Sequence, residues 1–359
     1  MNRCLSPSLD TSVFEERLQT LLISGNLGNN DLILRAKRLE LLFQAAVLTC
    51  PAPLWAPGLR IDREWRTVTE TFLPWAEIAP AFRRLITVAL RYPPTSDPLA
   101  SFHSWPDFLC RFYGIATSAN PARLFHLLLG DEAVRRTWLF TLFLPKEHGG
   151  GFGRYPAQRE FLRGWLTRRR GQTGTQISCL DAACGSGEGT WELAQLCHEC
   201  GFRPDEVTIR GSSLEPLELC AAAHAAFPHD PGREREYRLR ICRLVAEGFA
   251  ERICFTREDL AATREATDRY DLILCNGLLG GPLLHESRQI AQVMAGLVRR
   301  LRPGGLILAA DRFHEGWLKL TPRGVRETLL AGCGVRITAT GEGIGGAVSS
   351  ERSKVKSEE

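Results

Sequence analysis

The chain has 359 residues, of which 45 are basic and 41 acidic, and its formal net charge is +4. This length favours two domains, and the balanced charge does not favour nucleic acid or a charged membrane surface as a partner. No stretch approaches the roughly 20 apolar residues of a membrane-spanning helix. The first residues lack the apolar core of a signal peptide. We therefore expect a cytoplasmic protein with reduced thiols and no membrane partner.

The 12 cysteines are scattered along the chain. Several lie inside apolar runs, such as Cys254 in RICFTRED and Cys275 in DLILCNG. In such surroundings we expect buried free thiols, which behave as small apolar residues. Cys197 and Cys200 have the C-x2-C spacing of a metal site, but no second pair accompanies them. We therefore predict that the chain holds no metal ion.

Residues 1–147 have a helical pattern throughout. In segments such as NNDLILRAKRLELLFQAAVLTC the apolar residues recur on one helical face, and proline-rich pieces separate these segments. Such stripes are most simply the core of a helical domain. We predict that this domain binds substrate or mediates dimerisation. The glycine cluster that follows indicates a flexible linker, which with a lead-in helix covers residues 148–175.

From residue 176 onward, short β-rich runs alternate with helical ones. The candidate strands are ISCLD, EVTIRGSS, RICFTRE, DLILCN, GLILAAD and VRITATG. Alternation of this kind predicts an α/β domain with a largely parallel sheet that is covered on both faces. We assign this domain to residues 176–349 and predict a disordered tail over residues 350–359.

Chemistry-bearing residues follow the first two strands, at the edge where open parallel sheets bind ligands. The first strand ends at Asp181, and a turn through Gly185 and Gly187 leads into a helix that begins at Glu188. Glycines let the backbone turn sharply and approach a ligand closely. Glu215 follows the second strand, where an acidic side chain can accept both hydroxyls of a ribose.

Later segments extend this series. Asp259 follows the third strand and can accept a hydrogen bond from an adenine amino group, and Asn276 and Gly277 follow the fourth. The segment LRPGG precedes the fifth strand as a turn. A dinucleotide site competes with this interpretation, but it needs G-x-G-x-x-G, and Ala183 stands where its first glycine would be. Glu188 would repel a pyrophosphate and would tolerate a positively charged ligand.

The segments LDAACGSGEG, SLEP, REDL, YDLILCNGLLG and LRPGG, in this order, resemble a class I S-adenosylmethionine-dependent methyltransferase domain. The resemblance implies a Rossmann-like sheet of seven strands with one late antiparallel strand, here preceded by the all-helical domain. It implies S-adenosylmethionine as the cofactor. The residues that it implies for cofactor binding are Asp181, Ala183, Cys184, Gly185, Gly187, Glu188, Glu215, Asp259, Leu260, Asn276 and Gly277.

A narrower resemblance concerns the CheR-type chemotaxis-receptor methyltransferases. The segment AACGSGEGTWELA is similar to the first motif of that family, and YDLILCNGLL is similar to its fourth-strand segment. The helical region and GFGRYPAQREF are similar in arrangement to the family's small helical domain and linker. The chain departs from the family at Asn276 and Gly277, where the family has Arg-Asn. The acceptor therefore stays open between a protein carboxylate and a small-molecule oxygen.

Methyl transfer from a sulfonium is an in-line displacement in which positioning supplies much of the rate. A carboxylate acceptor needs no general base, whereas a hydroxyl or amine is helped by one. His285 and His314 are the candidate bases. The chain lacks Asn-Pro-Pro-Tyr after the fourth strand, which disfavours adenine and glutamine methyltransferases. Leu274 rather than proline precedes Cys275, which disfavours the cytosine C5 enzymes. Two alternatives stay open: a non-catalytic cofactor-binding regulatory protein on this fold, and an interaction protein whose working part is the helical domain.

Overall fold

The computed structural model describes residues 4–52, 54–55, 60, 62–145, 151–171, 176–262, 267–281, 283–310 and 320–349. His314 and the predicted tail over residues 350–359 lie outside the described residues. The chain divides into two compact units. The helical unit holds Ser12–Lys146 and Phe227–Pro231, and the sheet unit holds Met1–Thr11, Glu147–Ala226 and Gly232–Glu359.

The helices in the N-terminal part of the described residues are α1 (Thr11–Leu21), α2 (Asn30–Thr49), α3 (Arg63–Phe72), α4 (Trp75–Ala89), α5 (Trp105–Arg111), α6 (Pro121–Gly130) and α7 (Glu132–Phe143). Five of them begin after a polar side chain that accepts a hydrogen bond from a first-turn N–H, as N-caps do. These caps are Asn29, Asp62, Ser104, Asn120 and Asp131. Aromatic rings fill the core between these helices: the ring centre of Phe82 lies 5.1 Å from that of Phe108 and 5.4 Å from that of Phe125.

The sheet unit is built on β1 (Ile177–Ala182), β2 (Val207–Ser213), β3 (Ile253–Arg257), β4 (Tyr270–Leu274), β5 (Leu301–Ala309), β6 (Arg336–Ile337) and β7 (Ile344–Ala347). These form one seven-stranded sheet in the order β3-β2-β1-β4-β5-β7-β6. The first five strands pair in parallel, and β7 runs antiparallel to both β5 and β6. The predicted α/β fold class is confirmed, including its late antiparallel strand and the preceding helices.

The remaining helices are α8 (Pro156–Arg170), α9 (Glu188–Glu199), α10 (Pro216–His224), α11 (Pro231–Ala246), α12 (Ser287–Arg299) and α13 (Arg323–Gly332). The central strands β1 and β4 are buried along almost their whole length, as strands covered on both faces should be. Among the described residues, no helix combines the length and the apolar character that crossing a bilayer requires.

Two segments at the β5 side of the sheet differ from the prediction. LRPGG, predicted as a turn, is the beginning of β5, which pairs Leu301 with Tyr270 before its register shifts. The strand at Ile344–Ala347 was not predicted, because its two central glycines weaken a strand signal. In the sheet these glycines are required by close packing. A Cβ at Gly345 would lie 2.6 Å from a side-chain carbon of Leu308.

Residues 4–11, which the sequence pattern places in the helical domain, pack on the sheet unit instead. Leu5 forms an antiparallel bridge with Phe255 through two hydrogen bonds, of 2.8 and 2.9 Å. Next to this bridge, Cys4 and Cys254 form a disulfide. The prediction that Cys254 is a free thiol is therefore wrong, since no local pattern reveals a partner 250 residues away. Cys275 is a buried free thiol, as predicted.

Candidate functional site

The segment after β1 turns into α9 through three residues with positive φ. The φ angles are 64° at Ala183, 54° at Gly185 and 87° at Gly187. At Gly187 packing excludes a side chain, because a Cβ would lie 2.7 Å from Cβ of Ala222 and 3.0 Å from the hydroxyl of Tyr237. At Gly185, apart from this glycine and its two chain neighbours, no described residue has an atom within 4 Å of the Cβ position. Gly187 therefore serves the fold, whereas Gly185 borders space that a ligand can use.

Two buried carboxylates flank this turn. Asp181 accepts a hydrogen bond from the hydroxyl of Thr190, at 2.7 Å. Glu188 accepts one from the hydroxyl of Ser186, at 2.8 Å, and forms an ion pair with Arg233. Arg233 also donates to the Ser186 hydroxyl, at 2.6 Å. Glu188, predicted to lie beside a positive ligand, is thus paired with a cation of the protein itself. We did not predict Arg233, which belongs to α11.

Two further carboxylates follow β2. Glu215 is the N-cap of α10 and accepts a hydrogen bond from the Leu217 N–H, at 3.1 Å. Its side chain therefore caps a helix at the position where the sequence predicts a ribose contact. Glu218 accepts a hydrogen bond from the hydroxyl of Ser213. We did not predict Glu218, although three-residue spacing from Glu215 places both on neighbouring positions of one helix face.

Burial changes the protonation of two of these carboxyls. It raises the pKa of Asp181 to about 7 and that of Glu218 to about 7, because an ionised group loses its hydration when buried. The negative charge of Glu188 raises both pKa values further. Both groups therefore titrate near neutral pH. A positive charge brought close to them would favour their ionised forms.

The residues after β4 are held by the ends of β5 and α8. The amide of Asn276 pairs with that of Gln158 through two hydrogen bonds, of 2.8 and 3.0 Å. Its oxygen also accepts from the Ala310 N–H at 2.8 Å, and the Gly277 N–H donates to the Ala310 carbonyl at 2.9 Å. Asn276 therefore fixes the positions of three elements at this edge of the sheet. Gln158 is a second residue that we did not predict.

The described part of the predicted linker, residues 151–158, packs on the ends of these strands. The hydroxyl of Tyr155 lies 3.5 Å from the Cβ position of Gly277. The Gly153 N–H donates to the carboxylate of Glu192 in α9. This segment, which includes the start of the predicted lead-in helix, therefore contacts both α9 and the residues after β4.

Three other predicted residues have modest roles in the structure. Asp259 is exposed and accepts a hydrogen bond from the Ala261 N–H at 2.9 Å, which forms a turn after β3. Leu260 is half-buried and packs against the apolar core that contains Cys275. The Cys184 N–H donates to the Ser212 carbonyl at 2.8 Å. Burial raises the pKa of the Cys184 thiol, so this group is not an activated nucleophile.

The structure places one of the two candidate bases. His285 is exposed on the segment before α12, and its carbonyl accepts a hydrogen bond from the Thr321 hydroxyl at 2.7 Å. In the described part of the chain no group of three or more histidine, cysteine, aspartate or glutamate side chains could hold a metal ion. We define the candidate site as the turn after β1 together with the four carboxyl groups described above, those of Asp181, Glu188, Glu215 and Glu218.

Solved structures with similar folds include several methyltransferases. The chain is similar to a TehB-like S-adenosylmethionine-dependent methyltransferase from Corynebacterium glutamicum, at 13% sequence identity and a TM-score of 0.34. The match covers 60% of this chain and 95% of the other. The chain is also similar to magnesium protoporphyrin IX methyltransferase from Synechocystis, which was solved with bound S-adenosylmethionine. The sequence identity is 15% and the TM-score 0.37, and the match covers 60% of this chain and 91% of the other. A third similar structure is the 4+2 cyclase SpnF, at 17% sequence identity and a TM-score of 0.34. The match covers 53% of this chain and 61% of the cyclase, which is less than two thirds of that protein.

No protein-family model and no curated protein sequence matches the chain. The structural similarities are weak in both identity and TM-score. The fold class therefore rests on the chain's own strand order and on its antiparallel β7.

Proposed function

We propose that the sheet unit binds S-adenosylmethionine and transfers its methyl group in line to an acceptor oxygen. The observation that supports this most is the group of carboxylates around the turn after β1, next to the open space at Gly185. Asp181 and Glu218 have pKa values of about 7, so a cationic ligand would hold both in their charged forms. The sulfonium and ammonium of S-adenosylmethionine supply such charge, whereas the pyrophosphate of a dinucleotide would be repelled.

In this proposal each group of residues has one role. The bound cofactor supplies an activated methyl group. Gly185 admits the ligand, Asp181 and Glu218 stabilise its positive charge, and Glu215 accepts the ribose hydroxyls. The packed segment 151–158 limits the access of water near the end of β4. A carboxylate acceptor is ionised at pH 7 and needs no general base, whereas a hydroxyl acceptor would be helped by one.

Transfer of a labelled methyl group tests the reaction and separates the two acceptors. A protein carboxylate would give a methyl ester that alkali hydrolyses to methanol, whereas an ether formed on a small-molecule hydroxyl would survive alkali. Labelled protein that releases methanol would support the CheR-like acceptor. Tight binding of S-adenosylhomocysteine without transfer to any acceptor would favour the non-catalytic regulatory alternative.

We expect Glu215→Gln to weaken binding of S-adenosylhomocysteine by about tenfold or more, equivalent to about 1.4 kcal/mol. The amide oxygen can still accept from the Leu217 N–H, but the charge and one hydroxyl acceptor are lost. Calorimetry measures the affinity. Glu215→Ala is the matched comparison, because it also removes the cap and should lower the free energy of unfolding by about 1 kcal/mol. Tight binding of NAD by the unsubstituted protein would contradict the cofactor assignment.

We expect Ala183→Gly to be nearly neutral. Ala183 has a φ of 64°, which strains an alanine by about 1–2 kcal/mol, and glycine would relieve this strain. Glycine also loses more backbone entropy on folding, by about 0.5–1 kcal/mol, so the two effects largely cancel. Denaturant unfolding should show a small change, and calorimetry should show an affinity within about tenfold of the original. A larger loss of affinity would mean that the methyl group of Ala183 contacts the ligand.

A further inference from the structure

An apolar stripe runs along the outer face of α2. Leu34, Leu41 and Leu48 recur at intervals of seven residues and are 65%, 66% and 85% exposed. Because seven residues make nearly two helical turns, the three side chains lie along one line. The opposite face of the same helix is the one that joins the core, through Leu32, Ala36, Leu39 and Ala46. The exposed leucines are therefore additional to those that the core of the helical unit uses.

The stripe is large for a surface without a partner. Val47 and Ile33, which are 55% and 37% exposed, widen it on one side. Together with the leucines they present on the order of 500 Å² of apolar surface, a size at which exposed patches usually mark an interaction site. Seven-residue spacing is also the spacing with which one helix packs along another.

The charged residues beside the stripe favour one orientation for a second α2. Lys37 lies in the N-terminal half of the stripe, as does Arg38, which also forms an ion pair with Glu77 of the same chain at 2.9 Å. The uncharged Gln44 and Ala45 lie in its C-terminal half. Parallel pairing of two copies would bring their lysines and arginines together, which is unfavourable. Antiparallel pairing about Leu41 instead places Lys37 beside the second copy's Gln44, and Arg38 beside its Ala45. The leucines then meet in matching positions as well.

We propose that α2 pairs antiparallel with α2 of a second copy of this chain, about a twofold axis at Leu41. Leu34 of each copy then packs against Leu48 of the other, so the surface is self-complementary, as a twofold interface must be. About 500 Å² from each copy gives a total of about 1,000 Å², near the lower limit for a specific interface. The dimer should therefore be weak, with a Kd in the micromolar range. This proposal does not depend on the function proposed for the sheet unit.

Sedimentation of the full chain between about 1 and 100 µM should show a reversible change from monomer to dimer. Leu41→Glu should keep the protein monomeric throughout, because two carboxylates would meet on the axis. Leu239→Glu is the matched control: this leucine of α11 is 68% exposed, and its replacement should leave the dimer unchanged. Non-reducing gels exclude dimers linked by the exposed Cys110 and Cys242.

The orientation is tested with paired charges. Leu34→Glu and Leu48→Lys should each weaken the dimer, and the double variant should restore it, because antiparallel pairing brings the introduced carboxylate to the introduced ammonium. Parallel pairing would bring like charges together and would not restore it. A monomer at about 100 µM, with or without affinity for lipid vesicles, would overturn the proposal. So would a dimer that Leu41→Glu does not affect, or a double variant that stays monomeric.

Discussion

Gly185→Val is expected to abolish binding of S-adenosylhomocysteine while the protein stays folded. The φ of 54° at Gly185 makes a side chain unfavourable by about 1–2 kcal/mol, which a folded domain tolerates. The added side chain enters space where, apart from Gly185 and its two chain neighbours, no described residue has an atom within 4 Å of the Cβ position. If this is the space that the cofactor uses, ligand and side chain cannot both be present. Calorimetry measures binding, and thermal unfolding measures the fold.

Gly187→Val is the matched variant, two residues away on the same turn. Its φ of 87° is equally unfavourable for a side chain, but here a Cβ would lie 2.7 Å from Cβ of Ala222. Overpacking of this kind costs about 1–3 kcal/mol in addition to the backbone strain, so we expect a large loss of stability. Normal binding by Gly185→Val would remove the turn from the cofactor site. Unfolding of both variants alike would mean that Gly185, too, serves only the fold.

The turn after β1 could be predicted because all of its signals are local. Asp181 ends an apolar run, glycines follow within six residues, and a helical pattern begins at Glu188. The hydrogen-bond and ion-pair partners of the predicted site residues could not be predicted, because distant parts of the chain supply them. Arg233 is 45 residues from Glu188, and Gln158 is 118 residues from Asn276. Neither belongs to a motif, so only the folded chain brings each to its partner.

The α2 helix shows a second limit of local patterns. Its apolar residues form two stripes: one contains Leu32 and Leu39, and the other contains Leu34 and Leu41. Periodicity identifies the helix, but both stripes have the same spacing, so it does not tell which one is buried. From the sequence, we expected the apolar residues of this region to form the core of the helical domain. Only the positions of the neighbouring helices show that the second stripe is exposed.

Binding of S-adenosylmethionine is expected to release about one proton at pH 7 and to strengthen as the pH rises from 6 to 8. Without ligand, Asp181 and Glu218 have pKa values of about 7 and are each about half protonated at that pH. A nearby sulfonium or ammonium favours the ionised carboxylates, so binding must displace the remaining protons. Each group then contributes about tenfold to the change in affinity over this range. Calorimetry in buffers with different heats of ionisation counts the protons.

Asp181→Asn is the variant that isolates one of the two carboxyls. An amide oxygen can still accept from the Thr190 hydroxyl, so the fold should be kept, while proton release at pH 7 should fall by about half. S-adenosylhomocysteine, which lacks the sulfonium charge, should release fewer protons than S-adenosylmethionine. An affinity that does not change between pH 6 and 8 would contradict the assignment of these carboxyls to the cofactor site.

The same two groups should have the opposite effect on the protein without ligand. Their ordinary pKa values are 3.8 and 4.5, and folding raises both to about 7. Between these limits the folded chain holds more protons than the unfolded chain, so the contribution of these groups to the free energy of unfolding falls as the pH rises. A cation in the site removes this trend, because it keeps both carboxyls ionised in the folded chain, as they are in the unfolded chain at these pH values. Stabilisation by S-adenosylmethionine should therefore be greater at pH 8 than at pH 6, and Asp181→Asn should reduce that difference.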